Sequence, residues 1–439
     1  MTNPLACTAK IMENLRKQLQ ALGPGILIAC AAIGGSHLVW STRAGAEYGW
    51  ALLGLILFAN FLKFPFFYFG QHYTAVTGES LLSGYRRLGS FYLYAFIAIN
   101  LFAGSINIAA VGMLTAALSL PFLGGLNLEL THLSIVLFIL LSGILFFGHY
   151  ALLDRLSKGI ILVLTLCTLL AVLLAFLNTH PMNAEIQPLP VEPANPNPFT
   201  LVSLAFIISL LGWMPAPIDL STWSSLWMQS RQEQTGHRAS PREVAIDFSI
   251  GYGITTLLAC LFLALGALTL YGTGADLPSS GIQFSVQLIQ LYTESIGTWT
   301  QPVIILAAFS TMLSTTLTCL DGYPRSTATC LTLLQSKTPL EKRQSEKYYL
   351  FMLGFFALSA STLLLFFVKN LITLLSFAAI VAFLTSPVLA WMNLKVMTGD
   401  SVPKAQQPAF WIKLTSYLGI AFFAILSLVY LYQKFLTFT

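Results

Sequence analysis

Two short runs within apolar stretches of the chain carry residues that could bind a solute or an ion. The tetrapeptide GGSH, residues 34–37, interrupts the first apolar stretch, and the run LLGWMPAPIDL places two prolines within the sixth. Glycine costs roughly 1 kcal/mol and proline about 3 kcal/mol relative to alanine in a helix interior. We therefore expect both helices to break at these runs, which frees backbone amides and carbonyls to bind a ligand.

Side chains at the two breaks add candidate ligands. The imidazole of His37 and the thioether of Met214 could together bind a soft cation such as Cu(I), although capping and packing are alternatives for these side chains. Asp219 follows the second proline and could hold a solute amine or a proton, or act only as a favourable charge at a helix N-terminus. The predicted substrate-binding residues are Gly34, Gly35, Ser36, His37, Leu211, Met214 and Asp219.

Three charged residues are candidates for coupling or gating. Lys63 lies roughly a dozen residues into the second apolar stretch, about 20 Å along a helix, where its ammonium group cannot easily reach water. Such a buried lysine could replace a driving cation or titrate during a transport cycle, or form a structural ion pair with Asp219 or another acid. Arg43 and Glu47 are four residues apart, which predicts a helix-surface ion pair or an outer gate.

The surrounding composition is that of a helical membrane protein. Hydrophobic residues make up 56% of the 439 residues and charged residues only 9%, whereas soluble domains are roughly a quarter charged. The apolar runs are long enough for transmembrane helices and lack the alternation of a membrane barrel. The eleven predicted spans lie near residues 22–48, 50–80, 91–118, 131–150, 153–177, 199–229, 243–272, 298–320, 346–368, 370–397 and 408–435.

The basic residues predict the orientation. They concentrate before span 1 and after spans 2, 4, 6, 8 and 10, whereas the loop 178–198 contains no Lys or Arg. Basic loops stay on the cytoplasmic side, so we expect a cytoplasmic N-terminus and an external C-terminus, in a bacterial inner membrane. Residues 1–21 are predicted to be a cytoplasmic segment and residues 22–435 a single transmembrane domain.

The positions of the two breaks predict an internal repeat. Spans 1 and 6 are five apart and run in opposite directions, as in transporters built from two inverted repeats with the binding site at paired helix breaks. The first repeat would comprise spans 1–5 within residues 22–177 and the second spans 6–10 within residues 199–397. Span 11, residues 408–435, would follow the second repeat.

Most of the chain resembles the NRAMP family of divalent metal transporters, and the resemblance is strongest over residues 22–80. The resemblance is carried by LGPGILIACAAIGGSHLVWSTRAGAEYGWALLGLILFANF, and TAVTGESL and NLKVMTGD also fit. It implies an all-α LeuT-like fold with about eleven transmembrane helices in a 5+5 inverted repeat, and a secondary transporter.

The chain departs from that family at the positions to which the resemblance assigns metal binding. The family has DPGN where this chain has residues 34–37, so the metal-binding Asp and Asn are absent. Of the family's Met-Pro-His run, Met214 and Pro215 are present, but the His position is Ala216, and Leu211 holds the position of a metal-binding carbonyl. Span 3, within residues 95–113, lacks the family's acidic residues.

Three functions follow from this pattern. Two features favour transport of a small organic, amino-acid-like solute or an atypical cation. The metal-binding carboxylate of the family is absent, and Asp219 could hold a solute amine. The resemblance to the NRAMP family instead favours proton-coupled import of a divalent ion such as Mn²⁺ or Fe²⁺. A non-transporting sensor with the same fold is the third possibility. No P-loop, nucleophile elbow or HExxH pattern occurs, so we expect neither an enzyme nor a cofactor. The expected partners are membrane lipid, the solute or metal cation and protons, with no nucleic acid, and the sequence indicates no oligomeric state.

Overall fold

The computed structural model describes most of the chain. The described residues are 24–123, 129–147, 150–177, 197–273, 283, 286–290, 293, 297–335, 342–368 and 370–438. The predicted cytoplasmic segment 1–21 and nearly all of the loop 178–198 lie outside them, so these two expectations stay predictions.

The described part of the chain folds into helices. In chain order they are α1 Pro24–Ala32, α2 Thr42–Tyr48, α3 Leu53–Thr77, α4 Leu81–Leu88, α5 Ser90–Ser119, α6 Leu130–Phe146, α7 Tyr150–Leu177, α8 Leu204–Trp213, α9 Leu220–Thr235, α10 Pro241–Thr269, α11 Gln301–Gln335, α12 Lys342–Phe366, α13 Leu371–Met397 and α14 Phe410–Phe438. A π-helical segment, Ser36–Ser41, joins the break after α1 to α2.

Each of the eleven predicted spans overlaps at least one of these helices, and α11 extends from within span 8 to Gln335, beyond the predicted end at residue 320. Within the described residues, seven helices are long and apolar enough to cross a membrane, and three shorter apolar helices accompany them. The shorter ones include α6 and α8. α8 is short because span 6 divides into α8 and α9, as the prolines predicted, and span 1 divides in the same way into α1 and α2.

The helices pack as expected for two inverted repeats. Span 1 packs against α10, which is span 7, and the second half of span 6 packs against α3, which is span 2. These two contacts are equivalent when span 1 is matched with span 6 and span 2 with span 7. α5 and α11, the third members of the two repeats, pack against each other. The fold is therefore the all-α, LeuT-like arrangement that the resemblance implied.

Glycines bring span 1 and span 7 into backbone contact. A Cβ atom on Gly45 would lie 2.0 Å from the carbonyl oxygen of Leu263, and one on Gly266 would lie 2.2 Å from that of Thr42. Small residues permit such approach between transmembrane helices. The second half of span 1 is thereby fixed to α10, and this holds its broken end in the centre of the bundle.

Candidate functional site

The first break lies at Ile33 and Gly34, slightly earlier than predicted. The amide of Ile33 still bonds to Ala29, but its carbonyl accepts a hydrogen bond from the Thr315 hydroxyl of α11 at 3.0 Å. The carbonyl of Gly34 accepts from the amides of His37 and Leu38, where helical geometry resumes. The carbonyl of Ile33 is thus satisfied by span 8, whereas the amide of Ile33 and the carbonyl of Gly34 still bond within span 1.

The second break separates α8 from α9. α8 ends at Trp213, Met214 is extended, and its peptide bond to Pro215 is cis. Helical geometry resumes at Leu220, whose amide bonds to the carbonyl of Pro217. Both breaks predicted from the sequence are therefore present.

A cavity of about 40 Å³ lies between the two breaks. One water requires at least about 10 Å³ on this measure, so the cavity accommodates a small ion or a few water-sized groups. It is lined by Ala31, Ala32, Gly34, Gly35, Ser36, Asn107, Val111, Trp213, Ala216, Pro217, Asp219, Leu220, Trp223, Thr315, Cys319 and Tyr323. Gly34, Gly35, Ser36 and Asp219 are the predicted substrate-binding residues that the structure brings together here.

Asp219 is the charged residue among those lining the cavity. It is 4% exposed, and its side chain forms no capping hydrogen bond with α9. Its Oδ1 atom is buried and has no hydrogen-bond partner within the described residues. A buried carboxylate oxygen is costly without a partner, so this atom is suited to bind a cation or a donor that enters the cavity.

A series of hydrogen bonds joins Trp213, Asn107 and Tyr323 in the wall of the same cavity. The indole N–H of Trp213 donates to Oδ1 of Asn107 at 3.0 Å, and Nδ2 of Asn107 donates to the hydroxyl oxygen of Tyr323 at 2.9 Å. The Tyr323 hydroxyl accepts in this series, and Tyr323 and Asp219 line the same cavity. The network therefore fixes the Tyr323 hydroxyl in the cavity wall that Asp219 also lines.

Lys63 contacts the backbone of the second break. Its Nζ atom donates to the carbonyl oxygens of Leu211 at 2.7 Å, Gly212 at 3.0 Å and Ala216 at 3.1 Å. The ion pair with Asp219, which was one of the alternatives for Lys63, is replaced by these carbonyl contacts. Lys63 is fully buried, as the sequence indicated.

Three predicted substrate ligands do not line the cavity. His37 points towards α10, where its Nε2 donates to the carbonyl of Thr255 at 2.9 Å, while its Nδ1 lies 2.7 Å from the Ser36 hydroxyl. Leu211 directs its carbonyl to Lys63, and Met214 is fully buried in the main core cluster. The structure thus does not bring His37 and Met214 together at the cavity as a metal-binding pair.

Arg43 and Glu47 form the predicted ion pair. Nε and Nη2 of Arg43 donate to Oε1 of Glu47 at 2.9 and 2.6 Å, and the guanidinium group also lies over the rings of Trp40 and Phe206. The pair is partly exposed. Its role as an outer gate stays a prediction.

The donors around the cavity could hold a metal ion only as a mixed set. Within the described ranges no group of three or more His, Cys, Asp and Glu side chains is placed to bind a metal. Asp219 and Cys319 both line the cavity, and the hydroxyl groups of Ser36 and Thr315 lie beside them. One carboxylate, one thiol and neutral oxygens can bind a cation that must also be released.

The sequence reasoning missed the contributions of spans 3 and 8. Asn107 was passed over because span 3 carries no acid, and Thr315, Cys319 and Tyr323 were not singled out. A signal for span 8 was available in the run STMLSTTLTCLDGY, which is unusually rich in hydroxyl groups for a transmembrane helix. Buried Ser and Thr side chains in such helices satisfy backbone groups of neighbouring helices, as Thr315 does at the first break.

Comparison with known sequences covers nearly the whole chain. The family described as "Natural resistance-associated macrophage protein-like" matches residues 25–433. An uncharacterized protein of Pasteurella multocida is 38% identical over 408 residues, which are 92% of this chain and 91% of the relative. A divalent metal cation transporter of Listeria innocua is 25% identical over 276 residues, which are 60% of this chain and 58% of that transporter.

Solved structures share the fold at low sequence identity. A mutant of the manganese transporter of Eremococcus coleocola superposes with a TM-score of 0.64 at 16% identity, covering 94% of this chain and 86% of that one. MhsT in complex with L-phenylalanine superposes with a TM-score of 0.57 at 15% identity, covering 93% of this chain and 98% of that one. These likenesses concern the fold alone.

Proposed function

Because this chain belongs to the natural resistance-associated macrophage protein-like (Nramp) family, we propose that it is a secondary active transporter that carries a divalent metal cation through the cavity at Asp219. The observation that carries the proposal is that Asp219 lines the cavity between the two breaks and that its buried Oδ1 atom has no hydrogen-bond partner in the described chain.

Charge compensation supports a cation as the substrate. A divalent ion loses most of its hydration when it enters a buried site and requires an anionic ligand there. The resemblance placed that anion on span 1, where this chain has glycine and serine. Asp219 supplies a carboxylate from span 6 instead, so the negative charge stays at the breaks but comes from the opposite repeat.

The lining of the cavity argues against the amino-acid-like solute favoured by the sequence. Sites for organic ligands commonly enclose about 300 Å³ or more, whereas this cavity measures about 40 Å³. No Lys, Arg or His is among the residues that line it, so a substrate carboxylate would meet the carboxylate of Asp219. These observations favour the metal cation that was the second expectation.

The donor set indicates which metals bind well. Cys319 adds a thiol to the carboxylate of Asp219, and thiolate ligands favour thiophilic ions over hard ones such as Mg²⁺ or Ca²⁺. We therefore infer a preference for transition-metal and related ions, with Cd²⁺ as a useful probe and Mn²⁺ as the comparison. Protons are the proposed coupling ion, as the resemblance implied.

Alternating access would expose this cavity to one side of the membrane and then to the other. We propose a cytoplasmic N-terminus, an external C-terminus and a location in a bacterial inner membrane. The charge pattern supports this orientation, because basic residues concentrate at one side of the predicted topology. Those at helix ends or in loops on that side include Arg86, Arg87, Arg238 and Arg242.

The test is metal uptake by the purified full-length protein in proteoliposomes. We expect saturable Mn²⁺ or Cd²⁺ uptake, and we expect Asp219→Asn to reduce kcat/KM by about tenfold or more, as for the loss of a charged interaction. Asp400→Asn is the matched control, because Asp400 is exposed in a loop. Absence of metal uptake by the wild-type protein, or unchanged uptake by Asp219→Asn, would reject the proposal.

A further inference from the structure

We propose that the carbonyl groups of Leu211, Gly212 and Ala216 form a second cation site, and that the ammonium group of Lys63 is its tethered cation. This site lies where α8 ends, and it includes the carbonyl of Ala216 in the uncoiled segment before α9. It is separate from the metal site proposed above, and its test does not depend on metal transport.

The geometry matches an ammonium ion. Nζ lies 2.7, 3.0 and 3.1 Å from the three carbonyl oxygens. An ammonium group has three N–H donors and no acceptor, so every donor has one carbonyl partner. A neutral amine would have two donors, and its lone pair would face the third carbonyl oxygen. The coordination by three oxygens is therefore that of a cation.

The sequence explains why these carbonyls need a cation. In a continuous helix the carbonyl of Leu211 would accept from the residue four positions later, which is Pro215 and has no N–H. α8 ends at Trp213, so the carbonyl of Gly212 also lies in its last turn. The amide of Leu220, the corresponding partner of Ala216, bonds to Pro217 instead. Without the ammonium group, none of the three carbonyl oxygens would have a donor among the described residues, and those of Leu211 and Gly212 also lie at the negative C-terminal end of α8.

The surroundings keep the ammonium group in place. Lys63 is 0% exposed and lies in the interior of α3, and its Nζ atom is 5.7 Å from the ring centroid of Phe423 on α14. A lysine in this position cannot extend to the membrane surface. The cation is therefore supplied by the chain itself, and a free monovalent ion is not needed at this site.

Ala216 connects the second site with the transport cavity. Its carbonyl accepts from Lys63, while the residue also lines the cavity beside Asp219. Lys63 thus acts as a positioning residue that fixes the uncoiled backbone of span 6. Without its ammonium group, we expect this backbone to require a small cation from solution.

The experiment measures thermal stability of the purified full-length protein in solutions of equal ionic strength. The solutions contain choline, Na⁺, K⁺, NH₄⁺ or methylammonium chloride. The wild-type Tm should not depend on the cation. Lys63→Ala removes the ammonium group and leaves room for a replacement, so its Tm should fall by at least about 5 °C in choline. Methylammonium or NH₄⁺ should restore at least half of this loss.

Two variants serve as controls. Lys63→Met fills the space with an apolar side chain, and its Tm should fall without selective recovery by any cation. Lys395→Ala removes a lysine whose Nζ is exposed and bonds to Tyr92, and its Tm should stay close to that of the wild type. Equal stabilisation of all variants by NH₄⁺ would reveal a general salt effect and reject the proposal.

Further outcomes would also overturn the inference. One is that Lys63→Met keeps the wild-type Tm. The other is that Lys63→Ala has the same Tm in methylammonium as in choline. If Lys63→Ala cannot be purified in folded form, methylammonium added during expression and purification should raise the monodisperse yield several-fold, and an unchanged yield would reject the site. Because these readouts involve no metal uptake, they are distinguishable from failure of the Asp219 proposal.

Discussion

The ammonium nitrogen of Lys63 lies 2.7 Å from the carbonyl oxygen of Leu211. The resemblance assigned this carbonyl to metal binding, so a tethered cation occupies a position where a substrate ligand was expected. The negative charge offered to a substrate lies instead on Asp219, at the start of α9. The C-terminal end of α8 therefore lies next to the positive charge of Lys63 from span 2, and the N-terminal end of α9 carries the negative charge of Asp219. The helix dipole favours each charge at its own helix terminus.

We expect Gly35→Ala to reduce metal uptake strongly. A Cβ atom at this position would lie 2.7 Å from Cζ3 of Trp213, and the indole ring is held by its hydrogen bond to Asn107. Displacing it would disturb the cavity wall and cost about 1–3 kcal/mol. The measurement is uptake in proteoliposomes together with Tm. Gly354→Ala, where a Cβ meets no atom within 4 Å, should behave like the wild type.

Tyr323→Phe should weaken metal binding by about tenfold or more, the usual effect of losing a group that orients a metal ligand. The change removes a hydroxyl that accepts from Asn107 in the cavity wall, which Asp219 also lines. Isothermal titration with Mn²⁺ measures the affinity directly. Tyr349→Phe is matched to it, because that hydroxyl bonds to Asp321 and does not line the cavity. Equal affinities of the two variants would contradict the role of Tyr323.

Cys319→Ser should alter metal preference more than total uptake. Exchanging the thiol for a hydroxyl group removes the soft donor from the cavity, so the ratio of Cd²⁺ to Mn²⁺ uptake should fall by about tenfold, which corresponds to about 1.4 kcal/mol. Competition between the two ions in proteoliposomes gives this ratio. Cys330→Ser, at a buried position outside the cavity lining, should leave it unchanged, and an unchanged ratio in Cys319→Ser would remove the thiol from the site.

Two ion pairs, Asp321–Arg325 and Arg43–Glu47, each join residues four positions apart. They should differ in their contribution to stability. Asp321 is buried and accepts hydrogen bonds from Arg325, Tyr349 and Trp227. Asp321→Asn should therefore lower the free energy of unfolding by about 2 kcal/mol. Glu47→Gln should lower the free energy of unfolding by less than about 1 kcal/mol, because the pair with Arg43 is partly exposed. Denaturation in matched micelles compares them, and an equal loss would contradict the burial argument.

Local chemistry in the sequence was sufficient to predict the two breaks. Glycine and proline act on the backbone of their own helix, so GGSH and MPAP predicted interruptions that need no knowledge of neighbours. The long apolar runs predicted the spans for the same reason, since a transmembrane helix satisfies its backbone internally. The burial of Lys63 also followed from its distance to the ends of its span.

The partners at the breaks depended on contacts between distant segments. Lys63 and Leu211 are 148 positions apart, and His37 and Thr255 are 218 apart. His37 was predicted to face the substrate because it follows a break, but the rotation of the π-helical segment directs its ring to α10. Side-chain direction around a helix changes with each residue, so a shift of the break by one or two positions decides what a side chain meets.

The sequence by itself thus determined the membrane class, the broken spans and the presence of charges that must be compensated. Only the tertiary structure decided that Lys63 binds carbonyls while Asp219 faces the cavity, and that Asn107, Thr315, Cys319 and Tyr323 complete its wall. The physical reason is that hydrophobicity and backbone breaks act within one segment, whereas a binding site is formed where several segments pack together.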